Sequence, residues 1–490
     1  MPAWQALTRD LDWDPTYVTE RELFPEDVAG TPWLTHEQWA GWEEPYKTTF
    51  AEYARTQHEK ERAVLALRQA LGAARAVRGV DRAWQSVAKL HGATLALGEF
   101  AAVVGNLRAV RFARAAAWRS TAAFGALDEV RHTQIPLLLH ADLVRHDAQF
   151  DFTHRLYHTN NWVSIAGRHL LDELLIASNA IELAIATNFV FETGFTNLQF
   201  IGLSAVADRV GDHLLRTTLE SIQTDEARHA QIGLPTLERV AAEDRAYAQY
   251  LVDKWFWRSW RLFSTVTGIT MDYLTPLAHR GASFKEFVEE WVSAQFLASI
   301  ERVGLERPWY WEHFVRSIRH DHHMIYASAY SYRATVWFDM VVPGPAERAW
   351  LRTRYPESWD AFEPVWDRVT ALWKEADAGV DFAVHGAAIP TFCNLCQLVL
   401  SSGSPQHNEA CDLVRGGQRY VFCSAPCRWI FEREPERYEG SPDVVKRVLA
   451  GKAPGNLIEF LTRYSGLRYE VWGKDACAGD YPWLERGSGR

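Results

Sequence analysis

The sequence predicts a mainly α-helical protein: a bundle of long helices, helical extensions, and a small cysteine-rich α/β module near the C-terminus. Two observations predict the bundle. No proline lies between Pro45 and Pro136 or between Pro136 and Pro235, and both windows are rich in strong helix formers. A third observation predicts the module, because all six cysteines lie after residue 390, beside short strand-like runs such as 419–422.

The composition indicates a sizeable core and an acidic charge balance. Of 490 residues 48% are hydrophobic, and 52 Lys and Arg stand against 62 Asp and Glu, a formal net charge of −10. Nucleic acid is therefore not expected as the main partner, because phosphate binding requires concentrated Lys and Arg. The N-terminus has no apolar signal core, and no stretch has eighteen uninterrupted apolar residues. We therefore expect a cytoplasmic protein with no membrane partner.

Changes in composition divide the chain into five predicted parts. Residues 1–45 form an N-terminal arm, and residues 46–270 form the helical bundle. Residues 271–388 continue the helical pattern with many aromatic side chains, residues 389–440 form the cysteine-rich module, and residues 441–490 form a C-terminal tail.

Two Glu-x-x-His patterns stand in the same five-residue frame, Asp-Glu-x-Arg-His, at residues 128–132 and 225–229. On a helix, positions i and i+3 share a face, so the Glu and His of each frame can address one point in space. A single glutamate precedes each frame: Glu99 lies 30 residues before the first frame's glutamate, and Glu192 lies 34 residues before the second's. That separation suits a helix, a short connection and an antiparallel helix.

This pattern has a specific chemical use. Four helices, two contributing one Glu each and two contributing Glu-x-x-His, form the di-iron or di-manganese site of ferritin-like bundles. Such ligands suit iron and manganese, and the metals offset the cost of burying four carboxylates. The predicted ligands are Glu99, Glu129, His132, Glu192, Glu226 and His229. The alternative, two coincidental frames and two solvated glutamates, is disfavoured by apolar neighbours such as Leu95, Val103, Phe189 and Phe195.

The Asp and Arg of each frame are expected beside the ligands. Asp128 and Asp225 can accept the other ring N–H of a ligating histidine, and the sequence leaves open which aspartate serves which histidine. Arg131 and Arg228 either balance the aspartate charges or lie on the surface, and the sequence does not decide between the two.

Longer segments carry a more specific resemblance. Residues 191–200 (Phe-Glu-Thr-Gly-Phe-Thr-Asn-Leu-Gln-Phe) and 221–231 resemble the α subunit of the bacterial multicomponent di-iron monooxygenases, as do residues 271–277, 283–287 and 308–311. The similarity covers nearly the whole chain and is greatest to the toluene and alkene/isoprene monooxygenase branch.

The resemblance implies roles for further residues. Glu192 and Thr196 would act at the reaction centre, with Thr196 near the position where oxygen binds. Asn197 and Gln223 would line a narrow pore that responds to an effector protein. The implied substrate cavity is lined by Leu95, Ala102, Leu171, Leu175, Phe191, Phe195 and Phe200.

The resemblance also implies a reaction and partners. One oxygen atom of O2 would be inserted into a small hydrocarbon, giving a phenol from an arene such as toluene or benzene, or an epoxide from an alkene such as propene or isoprene. The chain has no G-x-G-x-x-G fingerprint and no ferredoxin-type Cys/His pattern. Electrons must therefore come from partner proteins, and the resemblance implies that NADH supplies them through a reductase and a Rieske-type ferredoxin. An effector protein and β and γ hydroxylase subunits in a paired (αβγ)2 assembly complete the system.

Two alternative functions stay open. One is another di-iron oxidase or a radical-generating ferritin-like protein, which should place a tyrosine soon after the first Glu-x-x-His; here the next tyrosine is Tyr157. The other is a non-enzymatic iron-binding or structural subunit, which the complete ligand set disfavours.

The cysteines predict a second metal site. Cys393-x-x-Cys396 and Cys423-x-x-x-Cys427 suit tetrahedral zinc, and the segment resembles a YHS-type module, so we expect a structural zinc ion. A rubredoxin-like iron or four reduced cysteines without metal are the alternatives. Cys411 and Cys477 are outside the pattern and are expected to be free thiols.

A histidine cluster at residues 320–323 is expected on a helix surface or at an interface, because the sequence shows no carboxylate at a metal-ligand spacing beside it.

Overall fold

The computed structural model describes residues 34–43, 47–71, 78–143, 146–147, 150, 162–332, 341–378, 391–400 and 411–439. Most of the predicted N-terminal arm, the whole predicted C-terminal tail and Cys477 lie outside the described residues. The described part of the chain is mainly α-helical, which confirms the predicted fold class.

The first helices of the described chain carry the predicted ligands. They are α1 (His36–Ala40), α2 (Phe50–Leu71), α3 (Arg82–Phe112), α4 (Ala116–Leu143), α5 (Trp162–Leu175), α6 (Ala180–Ala184), a π-helix that we call π1 (Ile185–Thr196), α7 (Asn197–Val210) and α8 (His213–Glu243).

The second part begins with a long buried helix. Its elements are α9 (Arg245–Ile269), a π-helical turn (Thr270–Leu274), a 3-10 turn (Leu277–His279), α10 (Phe284–Phe287), a π-helical turn (Val288–Val292), α11 (Ser293–Arg302), α12 (Trp311–Ser317), α13 (Asp321–Tyr332), α14 (Pro345–Arg354) and α15 (Trp359–Asp377).

Four segments form the bundle that holds the predicted ligands. Only three residues separate α3 from α4, so these helices run antiparallel and pack along their length. The π1 segment packs against α8, and α8 also packs against α4. The second half has the same order, because π1 continues directly into α7 and only two residues separate α7 from α8. The predicted order of helix, short connection and antiparallel helix is therefore present in both halves of the site.

Side chains at the helix ends explain where the long helices begin. Asp81 accepts a hydrogen bond from the backbone N–H of Ala83 (2.8 Å) at the start of α3, and Asp212 accepts one from Leu215 (3.0 Å) at the start of α8. Gly211 ends α7 with a φ of +81°, a left-handed conformation that costs glycine little.

Two prolines that interrupt the sequence pattern do not interrupt the helices. Pro136 lies inside α4 and Pro235 lies inside α8, and each follows its Asp-Glu-x-Arg-His frame by four to six residues. Packing of the bundle therefore outweighs the local cost of a proline in both helices.

The cysteine-rich module packs onto α9. It contains two antiparallel hairpins, β1 (Thr391–Phe392) with β2 (Val399–Leu400) and β3 (Leu413–Arg415) with β4 (Gln418–Tyr420), followed by α16 (Ala425–Arg433) and α17 (Pro435–Tyr438). In the second hairpin Leu413 stands opposite Tyr420. Its buried side chains are continuous with the hydrophobic core of the bundle, so α9 is covered on one side by the module and on the other by π1.

One described helix, α3, is long and apolar enough to cross a membrane by length and composition. It carries Glu99 and packs against α4 within the bundle, and half of its apolar window is buried in the protein.

Candidate metal centres and the adjoining cavity

The six predicted ligands lie together in the centre of the bundle. Atoms that could bind a metal lie within 4.8 Å of one another in two groups that share Glu129. The first group contains Glu99, Glu129, His132 and Glu226, and the second contains Glu129, Glu192 and His229. Five of the six side chains are buried, and Glu99 is half-buried.

Two glutamates reach both histidines. Oε2 of Glu129 lies 3.2 Å from Nδ1 of His132, and its Oε1 lies 3.1 Å from Nδ1 of His229. Oε1 of Glu226 lies 3.1 Å from His132 Nδ1, and its Oε2 lies 3.4 Å from His229 Nδ1. These two carboxylates therefore have the placement that would bridge two metal ions.

Each of the other two glutamates lies near only one of the two histidines. Glu99 lies 3.8 Å from Nδ1 of His132, and Glu192 lies 3.8 Å from Nδ1 of His229. The arrangement has approximate two-fold symmetry, with one histidine, one terminal carboxylate and two shared carboxylates on each side.

Unsatisfied polar atoms and raised carboxyl pKa values indicate a site that bound cations would stabilise. Within the described part of the chain, Oε1 of Glu129, Oε2 of Glu226 and Nδ1 of His229 are buried without a hydrogen-bond partner. Burial and the charge of Glu129 raise the pKa of Glu99 well above its usual range, and burial and the charge of Glu226 do the same for Glu192. Two cations would satisfy these groups, so the residues fit a dimetal centre.

The histidines respond to the same charges. Burial lowers the pKa of His132, but hydrogen bonds to Asp225, Glu129 and the other carboxylates outweigh burial and raise it well above the usual value. For His229 the charges of Glu129 and Glu226 likewise outweigh burial.

Each aspartate supports the histidine of the other frame. Oδ2 of Asp225 lies 3.3 Å from Nε2 of His132, and Oδ2 of Asp128 lies 3.2 Å from Nε2 of His229. Both aspartates are fully buried. A ring N–H donated outward from Nε2 leaves Nδ1 facing the centre, which is the orientation a metal ligand needs.

The two frame arginines are buried, and each contacts the aspartate of the other frame. Arg131 donates to Oδ2 of Asp225 (2.7 Å), and Arg228 donates to Oδ2 of Asp128 (2.7 Å) and to Oδ1 of Asp225 (3.0 Å). Of the two readings that the sequence left open, the structure therefore favours charge balance over a surface position.

Helix α2 supplies a further layer that the sequence analysis missed. Tyr53 donates to Oδ1 of Asp128 (2.8 Å), Gln57 donates to both frame aspartates, and Lys60 forms an ion pair with Asp225. These three positions follow the i, i+4, i+7 spacing of one helix face. The spacing indicates that the three side chains share a face, but it does not identify their partners, which lie 71 to 168 residues away.

A close backbone contact joins α8 to π1 beside the second histidine. A Cβ atom at Gly233 would stand 2.4 Å from the backbone N of Phe189 and 2.6 Å from the carbonyl carbon of Asn188. Glycine is therefore required at residue 233 for α8 to approach π1 this closely. Gly233 lies one turn after His229, and Asn188 donates to Oε2 of Glu192 (2.8 Å).

An apolar cavity of about 100 Å³ adjoins the carboxylates. Of the seven residues predicted to line it, six do so, namely Leu95, Ala102, Leu171, Leu175, Phe191 and Phe200. Glu99, Glu192, Glu226 and Thr196 also face it, together with His91 and Gln199. A guest in this cavity would therefore contact apolar walls on most sides and the carboxylate–histidine centre on one.

Phe195 differs from the prediction, because it is absent from the cavity wall in the described structure. It is fully buried, and its ring packs against Phe256 (5.1 Å between centroids) and Phe263 (4.9 Å) on α9. Phe195 lies on the face of π1 that contacts α9, whereas Phe191 lies on the cavity face.

Thr196, predicted at the reaction centre, ends π1, whereas the predicted pore residues lie at the start of α7 and on α8. Thr196 lines the cavity and donates to the backbone carbonyl of Glu192 (3.3 Å). Asn197 begins α7, and its Oδ1 is buried without a hydrogen-bond partner among the described residues. Gln223 on α8 is half-buried, and neither it nor Asn197 belongs to the described wall of the cavity.

The four patterned cysteines form a second, separate cluster. Sγ atoms of Cys393, Cys396, Cys423 and Cys427 lie within 4.8 Å of one another, and all four side chains are buried. Burial raises the pKa of Cys396, but hydrogen bonds from the other three thiols and the charge of Arg261 outweigh it and hold the pKa well below its usual range. Four cysteine side chains around one point are a ligand set typical of zinc.

Helix α9 faces this cluster with a donor and a cation. Nε1 of Trp257 donates to Sγ of Cys427 (3.1 Å). Arg261, one turn later and 3% exposed, also forms an ion pair with Asp321. Cys411 is a buried free thiol outside the cluster.

The expectation for the histidine cluster is wrong for two of its members. His322 and His323 are fully buried, and Nε2 of His322 lies 2.7 Å from Oδ2 of Asp272, fifty residues earlier. Asp272 also accepts hydrogen bonds from the backbone N–H of Phe284 and from the hydroxyl of Tyr355. These bonds satisfy the carboxylate without a metal, so the group is explained as a core hydrogen-bond network.

Sequence and structure comparisons relate the chain to known proteins. Residues 13–244 match the family described as methane/phenol/alkene hydroxylase, and residues 407–441 match the YHS domain. The chain is 38% identical to the oxygenase component α subunit of an alkene monooxygenase system from Xanthobacter autotrophicus, over 98% of this chain and 97% of the relative.

Two further comparisons agree. The chain is 30% identical to the oxygenase component of a phenol 2-monooxygenase from a Pseudomonas species, over 93% of this chain and 88% of the relative. The crystal structure of a xenon-pressurised phenol hydroxylase from Pseudomonas sp. OX1 superposes with a TM-score of 0.83 at 28% identity, over 96% of this chain and 98% of the other.

Proposed function

The chain belongs to the methane/phenol/alkene hydroxylase family and is an O2-dependent monooxygenase, and from that premise we propose that it is the catalytic α subunit that oxidises a small alkene at a di-iron centre. The observation that carries this proposal is the pair of shared carboxylates, Glu129 and Glu226, beside an apolar cavity. Membership of this family implies a di-iron centre, and the carboxylate–histidine set fits it.

We assign the ligands as two sets. Glu99 and His132 would hold one iron, Glu192 and His229 would hold the other, and the two shared carboxylates would bridge them. When bound, the irons supply the redox chemistry that activates O2. Asp225 and Asp128 would keep both rings in the tautomer that presents Nδ1 to the centre, because each accepts the opposite ring N–H.

The remaining roles belong to the cavity wall. The side chains of Leu171, Phe191 and Phe200 would hold an apolar substrate against the centre and exclude bulk water. Thr196 can hold a proton at Oγ1 on the wall that it shares with Glu192. Asn197 and Gln223 would line a pore between the site and the surface that responds to an effector protein.

The size of the cavity supports an alkene as the substrate. An apolar cavity of about 150 Å³ is known to bind benzene. The cavity here is about 100 Å³, which favours a smaller guest such as propene or isoprene over toluene. The 38% identity to an alkene monooxygenase subunit supports the same choice.

Two measurements test the proposed function. Anaerobic loading should give about two irons per chain, and fewer than one would contradict the di-iron assignment. The chain, reconstituted with its partner proteins, is then compared on propene, isoprene, benzene and toluene by gas chromatography. On size alone we expect kcat/KM to be highest for propene, the smallest of the four, and lowest for toluene, the largest. Leu171→Ala, which enlarges the cavity, should shift the preference toward the arenes, whereas equal rates on all four substrates before and after this change would contradict the assignment by size.

The electron supply and the assembly follow from the same proposal. Electrons would come from NADH through a reductase and a Rieske-type ferredoxin. An effector protein and β and γ subunits, in a paired assembly, would complete a cytoplasmic enzyme. Three exposed apolar residues on one face of α3 support an interface with such subunits; they are Phe100, Val104 and Leu107, at 54%, 43% and 54% exposure.

We assign a structural zinc ion to the cysteine cluster. Four cysteines that surround one point leave no open coordination position, which is typical of structural rather than catalytic zinc. Zinc content and the visible spectrum together distinguish zinc from a rubredoxin-like iron, because ferric iron held by four thiolates absorbs visible light strongly and zinc does not. A protein that contains neither metal at this cluster after purification under zinc would contradict the assignment.

A further inference from the structure

Helix α2 attaches to the bundle at the back of the two histidines. Of its described side chains only Tyr53, Gln57 and Val64 are buried, and the rest are half-buried or exposed. Its polar contacts with the bundle concentrate on Asp128 and Asp225, the two carboxylates that accept the outer ring N–H groups. The placement of α2 is therefore tied to the orientation of both imidazoles.

Gln57 links the two halves of the site through a single amide group. Its Nε2 donates to Oδ1 of Asp128 at 2.8 Å and to Oδ1 of Asp225 at 2.8 Å. An amide nitrogen carries two hydrogens in one plane, so it can satisfy two acceptors at the same time. The other oxygens of these aspartates face His229 and His132, so hydrogen bonds run continuously from one imidazole to the other.

The other donors to the aspartates act differently. Tyr53 donates only to Asp128, and Lys60 pairs only with Asp225. Arg228 reaches both carboxylates, but it does so from α8, the helix that also carries His229. Gln57 is thus the bridge that comes from outside the four ligand-bearing segments.

The chemistry of an amide suits this position. Arg131, Arg228 and Lys60 already supply three positive charges to two aspartates. A neutral donor adds two hydrogen bonds without adding charge. Oε1 of Gln57 is buried without a partner among the described residues, a cost that an apolar side chain would avoid. The side chain is therefore held for its two donor hydrogens.

We propose that Gln57 is a positioning residue that orients His132 and His229 jointly, so that the two metal positions respond together to any change at this amide. This inference rests on the proposed di-iron centre. Without the two hydrogen bonds, both aspartates would be freer to rotate, and both rings would follow them. Partners beyond the ligands commonly change metal affinity or activity by ~10- to 100-fold when they are removed.

The test compares four variants by Mössbauer spectroscopy of protein loaded anaerobically with ⁵⁷Fe. Gln57→Leu removes both hydrogen bonds, Tyr53→Phe removes the one to Asp128, and Lys60→Met removes the pair with Asp225. Gln69→Leu is the matched control, because Gln69 is exposed on the same helix. We expect the quadrupole doublets of both irons to change in Gln57→Leu, of one iron in each single-sided variant, and of neither in the control.

The kinetic readout separates positioning from loss of structure. In Gln57→Leu we expect about two irons per chain, an unchanged KM for the alkene, and a kcat lower by ~10-fold or more. Spectra and kcat that match those of Gln69→Leu would overturn the inference. If Gln57→Leu does not fold, Gln57→Met, which is closer in shape, is measured against the same outcomes. A wild-type protein with fewer than one iron would instead refute the proposed function itself.

Discussion

The carboxylate–histidine centre and the cysteine cluster are both buried sets of metal-binding side chains, but they are built in opposite ways. The first collects six side chains from four helical segments between residues 99 and 229, has unsatisfied atoms, and opens onto a cavity. The second collects four side chains from residues 393 to 427 and is closed by its own thiols. The difference teaches that an incomplete coordination sphere beside an apolar space indicates chemistry, whereas a complete one indicates structure.

Helix α9 connects the two regions. Trp257 and Arg261 face the cysteines, whereas Leu262 and Phe263 line the cavity. One rigid helix therefore separates the cluster that stabilises the fold from the space where a substrate would bind. The module also contacts α5 and α6 directly, because Tyr438 donates to Glu173 and Arg437 donates to Glu182. The following changes test how independent the two regions are.

The largest effect is expected from Glu192→Ala. This change removes a terminal carboxylate of the centre and leaves helix packing intact, so turnover should fall at least ~100-fold while the circular dichroism of the helices is unchanged. Metal analysis and product formation check it. Glu243→Ala, an exposed glutamate at the end of α8, is the control. Retained turnover in Glu192→Ala would refute the role of this carboxylate.

The cysteine cluster should show the opposite pattern. Cys423→Ser should lose the bound metal and lower the free energy of unfolding by about 4 kcal/mol, because a bound structural metal contributes directly to folding. Turnover at low temperature should change less than about threefold, because the cluster lies outside the cavity wall. Thermal unfolding and product analysis measure both.

Cys411→Ser is the matched control for this comparison, since Cys411 is a buried cysteine outside the cluster. A larger loss of turnover than of stability in Cys423→Ser would show that the two regions are not independent.

Acid should act on the cavity side through His91. Burial lowers the pKa of His91 to about 3, so the folded protein keeps this ring neutral while the unfolded chain protonates it below its usual pKa of 6.5. The unfolded state then binds more protons, and stability falls as the pH drops. Between pH 6.5 and 5 this contribution amounts to ~2 kcal/mol.

His91→Gln should remove that pH dependence, because an amide does not titrate in this range. Chemical unfolding of both proteins at pH 6.5 and pH 5 measures the difference. Parallel losses of stability in the two proteins would show that other groups are responsible.

The smallest effect is expected from Trp257→Phe. It removes one N–H donor to Cys427 and keeps an aromatic ring, so the free energy of unfolding should fall by about 1 kcal/mol. Release of the metal to a chelator should also become faster. Trp309→Phe, at a tryptophan that is 52% exposed, is the control, and equal release rates in both variants would argue against a role for the N–H···S bond.

Local spacing explains what the sequence could predict. Glu129 with His132, and Glu226 with His229, are separated by three residues, and their shared face is a property of any helix. The antiparallel α3–α4 pair could also be predicted from the distance between Glu99 and the first frame. The four cysteines were recognisable for the same reason, since their ligand spacing is short.

The remaining features depend on how helices are rotated against one another. Asp128 contacts the histidine of the second frame, and Asp225 contacts the histidine of the first. These contacts and the two hydrogen bonds of Gln57 depend on the relative positions of α2, α4 and α8, which no local sequence pattern encodes. Asp272 lies fifty residues from its partner His322 and could not be paired with it from the sequence. The turn of Phe195 toward α9 depends in the same way on packing between π1 and its neighbour.

At Gly233 the backbones of α8 and π1, which carry ligands of the centre, are in direct contact. α8 and π1 can approach this closely because glycine has no side chain. A single added carbon atom would therefore push the helix of His229 away from the segment of Glu192. Many residues of the cavity wall could be substituted to admit bulkier hydrocarbons. Residue 233 is different, because a change there would alter the spacing of the metal ligands themselves before it altered the space available to a substrate.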